Sequence, residues 1–172
     1  MEENGLKFSA VKPGNVTKME RLAALWIPYM REIYADDMEF HDTVEELRAG
    51  LAKRVRTAAI QKNMYFELAE NAEGEAVGFV FYALDRGGIS GILPAGYGYI
   101  MEVYVAPENR RHGYATEMYR HMRDTFAGIG VRTMYLTPDS HSGVPFWKKM
   151  GFRDSGLTDP DNHMPIYVRG IE

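Results

Sequence analysis

The chain has no cysteine among its 172 residues. That excludes a disulfide framework, a thiolate nucleophile and a cysteine-ligated zinc. His41, His112, His121, His141 and His163 are scattered, with no H-x-x-x-H pair and no carboxylate at metal spacing, so no metal is assigned. No apolar run approaches the length of a membrane span. The opening Met1-Glu2-Glu3-Asn4-Gly5 does not read as a signal peptide, so a cytoplasmic protein with no membrane partner is expected. There is no G-x-S-x-G elbow, no G-x-x-x-x-G-K-[ST] loop and no G-x-G-x-x-G after a strand. Positive charge is not in excess: 20 Lys and Arg face 24 Asp and Glu, a net charge of -4. This argues against nucleic acid as a partner. Repeats and low-complexity segments are missing too. What remains is the composition of an ordinary globular protein, 45% hydrophobic and 26% charged. Its length predicts a single domain over residues 1–172.

Residues 6–11 alternate apolar and polar, a first strand. Pro13-Gly14-Asn15 breaks it. From Val16, apolar residues recur at helical spacing through Trp26, Tyr29, Met30, Ile33 and Tyr34, which predicts a long amphipathic helix. Pro28 should kink or divide it. An acidic connector follows, Asp36-Asp37-Met38-Glu39-Phe40-His41-Asp42, and Thr43 with Glu46 makes a capping-box pattern for a second helix. Strands are predicted at 64–68 and 76–84, an antiparallel pair around a turn at 71–74. Residues 86–98 are glycine-rich and read as a mobile loop able to overhang a site. Beyond 126, a strand at 133–136, a loop at 138–143, a short helix at 144–150 and strands at 152–154 and 164–168 complete the order β-α-α-β-β-β-α-β-α-β-β. That order is α+β, with a mixed sheet of about seven strands and an antiparallel N-terminal half.

The chain is organised around residues 99–117. The apolar run 99–105 reads as a strand covered on both faces. Pro107 ends any ladder. The basic turn Asn109-Arg110-Arg111-His112 leads into Gly113-Tyr114-Ala115-Thr116, where helical periodicity begins. The free N–H groups and the positive dipole end of a helix's first turn make an anion site. Gly113 lets a phosphate approach the backbone, Ala115 keeps the approach open, and Arg110 and Arg111 add charge at the rim. His112 faces either phosphate or solvent. The arrangement is a pyrophosphate cradle.

Arg110-x-x-Gly113-x-Ala115 after such a strand resembles the R/Q-x-x-G-x-G/A signature of the GNAT superfamily of acetyl-CoA-dependent N-acetyltransferases. Phe146-Trp147-Lys148-Lys149-Met150-Gly151-Phe152 resembles that family's F-Y-x-K-x-G-F segment. The resemblance implies central splayed strands flanked by helices, with the gap between the fourth and fifth receiving the pantetheine arm of acetyl-CoA. It implies that the backbone of Val103 and Val105 bonds that arm, and that N–H groups from Arg111 through Gly113, Tyr114 and Ala115 to Thr116 bond the pyrophosphate. Two positions depart from the family. Trp147 stands where a tyrosine often serves as general acid, and Ser140 where an asparagine often contacts the pantetheine. Indole N–H is too weak an acid to substitute. Tyr104, His141 and Ser142 are candidates to do so, although thiolate, with a pKa of about 8.5 in the free thiol, is a fair leaving group unaided.

Glu102 is the only charge in 99–105. An unpaired carboxylate in a covered strand is costly, so it either faces an open, wet cleft as a general base or is a structural carboxylate paired with an arginine or with backbone N–H groups. An amine acceptor is an ammonium at neutral pH and needs such a base. Trp26, Tyr29 and Tyr34 are core residues that could also wall an acceptor pocket. The resemblance places the acidic connector over the acceptor end, where Asp36, Asp37 and Glu39 would attract a cation. The expected activity is therefore acetyl transfer from acetyl-CoA to a primary amine, a small cationic one, by direct attack on the thioester. A homodimer is compatible with this. A GNAT-like acyl-CoA sensor without catalysis is the alternative, kept open by Trp147 and opposed by Glu102.

Overall fold

The computed structural model describes residues 5–139 and 143–172. The element order is β1 (Lys7–Ala10), α1 (Val16–Ile33), α2 (Val44–Ile60), β2 (Met64–Glu70), β3 (Ala76–Leu84), β4 (Gly98–Val105), a 3-10 turn (Pro107–Asn109), α3 (Tyr114–Gly128), β5 (Thr133–Leu136), α4 (Gly143–Lys149), β6 (Arg153–Thr158) and β7 (Pro165–Gly170). Seven strands form one mixed sheet in the order β1-β2-β3-β4-β5-β7-β6. β1 runs antiparallel to β2, as β7 does to both β5 and β6. β4 and β5 are parallel, in a short register that pairs Gly98 with Met134 and Tyr99 with Tyr135.

Local chemistry sets the helix starts. Asn15 accepts from the Lys18 N–H at 3.0 Å to open α1, and Thr43 and Glu46 close the expected capping box on α2. Pro28 does not divide α1, which continues through it as one 18-residue element. The ring removes one donor, and packing holds the helix on: Leu25, Trp26, Tyr29 and Met30, on both sides of the proline, are buried.

The chain divides into two compact units. The first comprises the residues up to Phe81 together with Glu102–Glu117. Its core is aromatic: Trp26 meets Phe66 and Phe79 at centroid distances of 6.0 and 5.7 Å, and Phe66 stacks on Phe81 at 4.5 Å. Leu22, Leu47, Leu51, Val55 and Leu68 complete it.

The second unit, Tyr82–Met101 with Met118–Glu172, buries Met118, Met122 and Phe126 of α3 with Tyr82, Met134 and Ile166. Gly98 is required there, because a Cβ would lie 2.9 Å from the Phe126 ring. The glycine-rich segment 86–98 is tied at several points. Asp85 accepts from the Gly87 and Gly88 N–H groups and from the Tyr135 hydroxyl. Leu93 packs with Tyr135 and Ile166, flanked by Ile89, Ile92, Tyr97, Tyr99 and Val168. The glycines here serve turns while the apolar residues among them form a cluster. β6 also runs further than expected, to Thr158. Its sequence is polar because it is a sheet edge exposed along most of its length.

Candidate active site

The strand that feeds the site is covered to different depths on its two faces, and none of its residues is exposed. Gly98, Ile100 and Tyr104 of β4 are buried, whereas Tyr99, Met101, Val103 and Val105 are half-buried. The apolar run does not distinguish these cases, since its half-exposed residues are hydrophobic too. The end of β4 is fixed by the Ala106 N–H donating to the Val77 carbonyl at 2.9 Å. Pro107 then opens the 3-10 turn.

The following loop has an unusual backbone. Arg111 and Gly113 both lie in the left-handed region, with φ of 68° and 77°, on either side of His112. The Glu117 N–H bonds the Gly113 carbonyl at 3.2 Å, which makes Gly113 the N-cap of α3. Among the described residues, the N–H groups from Arg111 to Thr116 have no protein acceptor. A Cβ built on Gly113 meets nothing within 4 Å, so the backbone is open on that side. Free donors, an open approach and the positive end of α3 fit a pyrophosphate.

The side chains of this loop do other work than expected. Arg110 is not a loose rim charge. Its guanidinium bonds both Glu32 carboxylate oxygens at 2.9 and 3.0 Å, its Nε donates to the Val105 carbonyl at 3.0 Å, and it lies 5.7 Å from the Tyr104 ring centroid. Arg110 therefore ties the loop to the last turn of α1 and to β4, while the exposed Arg111 keeps its charge available. The Nδ1 atom of His112 lies 3.1 and 3.0 Å from the Asn109 and Arg110 carbonyls. Both are acceptors, so Nδ1 carries the proton and the ring's other nitrogen is left for a ligand or solvent.

Glu102 shares the inward face of β4 with Ile100 and Tyr104. Glu102 is half-buried, and among the described residues no arginine is paired with its carboxylate. The Tyr29 hydroxyl donates to its carboxylate. Burial pushes the Glu102 carboxyl up from the ordinary 4.5 to about 8. Tyr29 is itself locked, with its ring 5.3 Å from Phe79, 5.1 Å from Tyr104 and 5.5 Å from Trp26. The Tyr104 hydroxyl is raised above 10.0, first by burial, then by Glu32 and Glu108 against the opposing pull of Arg110. It is a weaker acid than a free phenol, which disfavours it as proton donor to a leaving thiolate.

The remaining candidates divide. Tyr114, Ala115 and Thr116 are half-buried in the first turn of α3. Asp36, Asp37 and Glu39 are exposed in the α1–α2 connector, where Asp37 accepts from the Glu39 N–H at 2.9 Å and Tyr34 stacks on Phe40 at 4.7 Å. Trp26, read as a core residue that could also wall a pocket, is 1% exposed. It has no surface to offer a ligand and is a core residue. Trp147 is buried against Tyr119, Phe146 and Phe152. Ser140, His141 and Ser142 lie outside the described residues. Among the described residues, no group of three or more His, Asp or Glu is placed to hold a metal ion, and no helix is long and apolar enough to cross a membrane.

Sequence reasoning missed the two contacts that hold this site. Tyr29 and Glu102 are 73 residues apart, and Glu32 and Arg110 are 78 apart. Neither pairing has a local signature. The one available hint was that Tyr29 and Glu32 stand three residues apart on α1 and are therefore neighbours along the helix.

The model of the acetyltransferase (GNAT) family matches residues 27–152. No curated protein matches the chain in sequence. Among solved structures, an acetyltransferase from Thermus thermophilus is 20% identical, with a TM-score of 0.68 over 96% of this chain and 97% of that one. The PaiA N-acetyltransferase of Thermoplasma acidophilum, solved in complex with coenzyme A, is 14% identical, with a TM-score of 0.70 over 96% and 99%. A GCN5-related N-acetyltransferase from Kribbella flavida is 16% identical, with a TM-score of 0.67 over 96% and 98%. At these identities the likeness is one of fold.

Proposed function

The chain belongs to the GNAT acetyltransferase family and is an acyltransferase, and we propose that it moves an acetyl group from acetyl-CoA to the primary amine of a small cationic molecule, by direct attack of the amine on the thioester. The observation that carries this reading is Glu102. It is a largely buried carboxyl with raised proton affinity, on the strand that leads into a loop of unoccupied backbone donors.

An alkylammonium has a pKa of about 10, so it must shed a proton to become a nucleophile. An ordinary carboxylate is a poor match for that proton. One whose pKa has risen to about 8 is a far stronger base and lies close to operating pH. The N–H groups from Arg111 to Thr116 would hold the pyrophosphate, with Arg111 adding charge at the rim, and the backbone of Val103 and Val105 would hold the pantetheine arm. Acetyl-CoA supplies an activated acetyl group. The residues of this chain supply placement and a proton acceptor, and placement alone is a large part of such rate enhancements. The cationic acceptor is inferred from the exposed carboxylates of Asp36, Asp37 and Glu39.

The test is release of free thiol from acetyl-CoA across small amines, polyamines, aminoglycosides and peptide N-termini. Turnover highest with di- and polyamines or aminoglycosides is expected. Tight CoA binding with no turnover on any amine would replace this reading with an acyl-CoA sensor.

A further inference from the structure

We propose that Tyr29 is a positioning residue for Glu102: its hydroxyl, fixed by the aromatic core, holds the carboxylate in place and sets the pH at which it can accept a proton. The inference rests on the reading of Glu102 as the base, and it concerns a residue with no such role in the sequence pattern.

The geometry is asymmetric. A glutamate has three rotatable side-chain bonds and, without a partner, would sample several rotamers. A tyrosine has two, and those of Tyr29 are immobilised by edge-to-face or tilted contacts with Phe79, Tyr104 and Trp26. At 9% exposure the Tyr29 ring has no room to swing outward. The core therefore fixes the hydroxyl, and the hydroxyl fixes the carboxylate. Among the described residues it is the one hydrogen-bond partner recorded for the Glu102 side chain, in surroundings that penalise an unpaired carboxylate.

Among the described residues, the Tyr29 ring meets Trp26 of α1, Phe79 of β3 and Tyr104 of β4, and the charged groups acting on the neighbouring Tyr104 are Glu32 of α1 and Glu108 and Arg110 of the loop. Glu32 and Arg110 are bonded to each other, and with Glu108 they act on Tyr104. Burial alone accounts for the direction at Glu102. Against that background, a hydroxyl donating to the charged form pulls proton affinity down. Tyr29 thus works against burial and lowers the pH at which Glu102 gives up its proton.

The decisive variant is Tyr29→Phe, which deletes the hydroxyl and keeps the ring. A hydrogen bond to a charged group is worth about one pH unit or more. The Glu102 midpoint should rise by about that much, read by carbon-13 NMR titration of carboxyl-labelled glutamate and assigned with Glu102→Gln. The acid limb of the kcat profile should move with it, giving about a tenfold loss at pH 7 that is recovered at high pH, with KM for acetyl-CoA unchanged. An unmoved NMR midpoint overturns the proposal, as does a loss of kcat equal at every pH. If the NMR midpoint moves while the rate profile does not, Tyr29 sets the carboxyl's proton affinity and Glu102 is not the base, so the proposed function fails separately. A second measurement needs no variant. In the wild-type protein the Tyr29 phenol carbon should report a titration at the Glu102 midpoint, and a flat signal would overturn the tether.

Discussion

The loop from Arg110 to Thr116 and the Glu102–Tyr29 pair both belong to the candidate site, yet they are built on opposite principles. The loop presents backbone. Its donors are N–H groups that every non-proline residue carries, and its geometry rests on two left-handed residues, Arg111 and Gly113. The pair presents side chains, one carboxyl and one hydroxyl, held by a core of rings. A backbone site tolerates changes of side chain until something blocks the approach. A side-chain site fails with the loss of a single atom, and its energetics are dominated by burial. The same contrast explains why the arginine that looks most like a phosphate ligand, Arg110, is engaged by Glu32. With backbone donors in place, the loop needs that guanidinium more as an anchor. The ion pair is about half exposed on both sides, at 44% and 46%, so its value is orientation more than stability.

The sharpest way to break the comparison is to block the backbone. Gly113→Glu should abolish CoA binding, because bulk and negative charge would stand where the pyrophosphate approaches. Nothing within 4 Å opposes a Cβ there, so the protein should still fold, at a cost of about 1–2 kcal/mol for a left-handed residue. Gly113→Ala carries the same strain without the charge and should lose much less affinity. Calorimetry decides: near-normal CoA affinity in a folded Gly113→Glu protein removes the cradle.

The pair is tested by a change of one atom type. Glu102→Gln should lower kcat about a hundredfold, as is typical of a lost general base, with CoA affinity intact. The deficit should shrink as pH rises toward the pKa of the amine. Unchanged turnover takes Glu102 out of the mechanism.

The same substitution should raise stability. Glu102 has its folded pKa raised to about 8. Its contribution is fully present below the unfolded value near 4.5, is lost as pH rises through about 8, and stays lost above that. Relative to wild type, Glu102→Gln should therefore gain nothing at pH 4 and progressively more up to about pH 8.5. The ceiling is about 5 kcal/mol, set by the size of the shift. Thermal melts across pH measure this, and a gain independent of pH would mean that the carboxyl is not desolvated in the folded protein.

The loop was legible in the sequence because its determinants are local. A β-rich run, a proline, a basic turn, a glycine and a helical period fall in order within residues 99–117, and the order of the elements along the chain follows the same kind of signal. Gly113 in particular reads as the residue that lets a phosphate approach the backbone, and a Cβ built there meets nothing within 4 Å. The pair was half legible. A lone carboxylate in a strand identifies Glu102, but the reason it is tolerated lies 73 residues away, in a tyrosine indistinguishable by spacing from the core residues beside it. Trp26, on the same helix one turn before Tyr29, reads as a core residue that could also wall a pocket, and it is fully packed. In the segment 86–98, glycine content reports turns and says nothing about what the residues between them bury.

The smallest expected effect belongs to a third kind of surface, the connector carrying Asp36, Asp37 and Glu39, where charge acts without fixed geometry. All three are exposed, and Asp37 is partly occupied in capping the Glu39 N–H. Opposite charges about 4 Å apart near a surface gain at most about 4 kcal/mol before desolvation. Screening at physiological salt reduces that further. The variant Asp36→Asn, Asp37→Asn, Glu39→Gln keeps the Asp37 capping oxygen and removes the charge. It should raise the KM for a diamine about tenfold, leave the KM for acetyl-CoA alone, and lose its effect in high salt. Glu102 gives the control, since a largely buried carboxyl should show no such salt dependence. If the triple variant keeps its acceptor KM at low salt, the connector is a solvated turn, selection of a cationic acceptor lies elsewhere, and the contrast between an inward-facing carboxyl and an exposed steering surface reduces to the carboxyl alone.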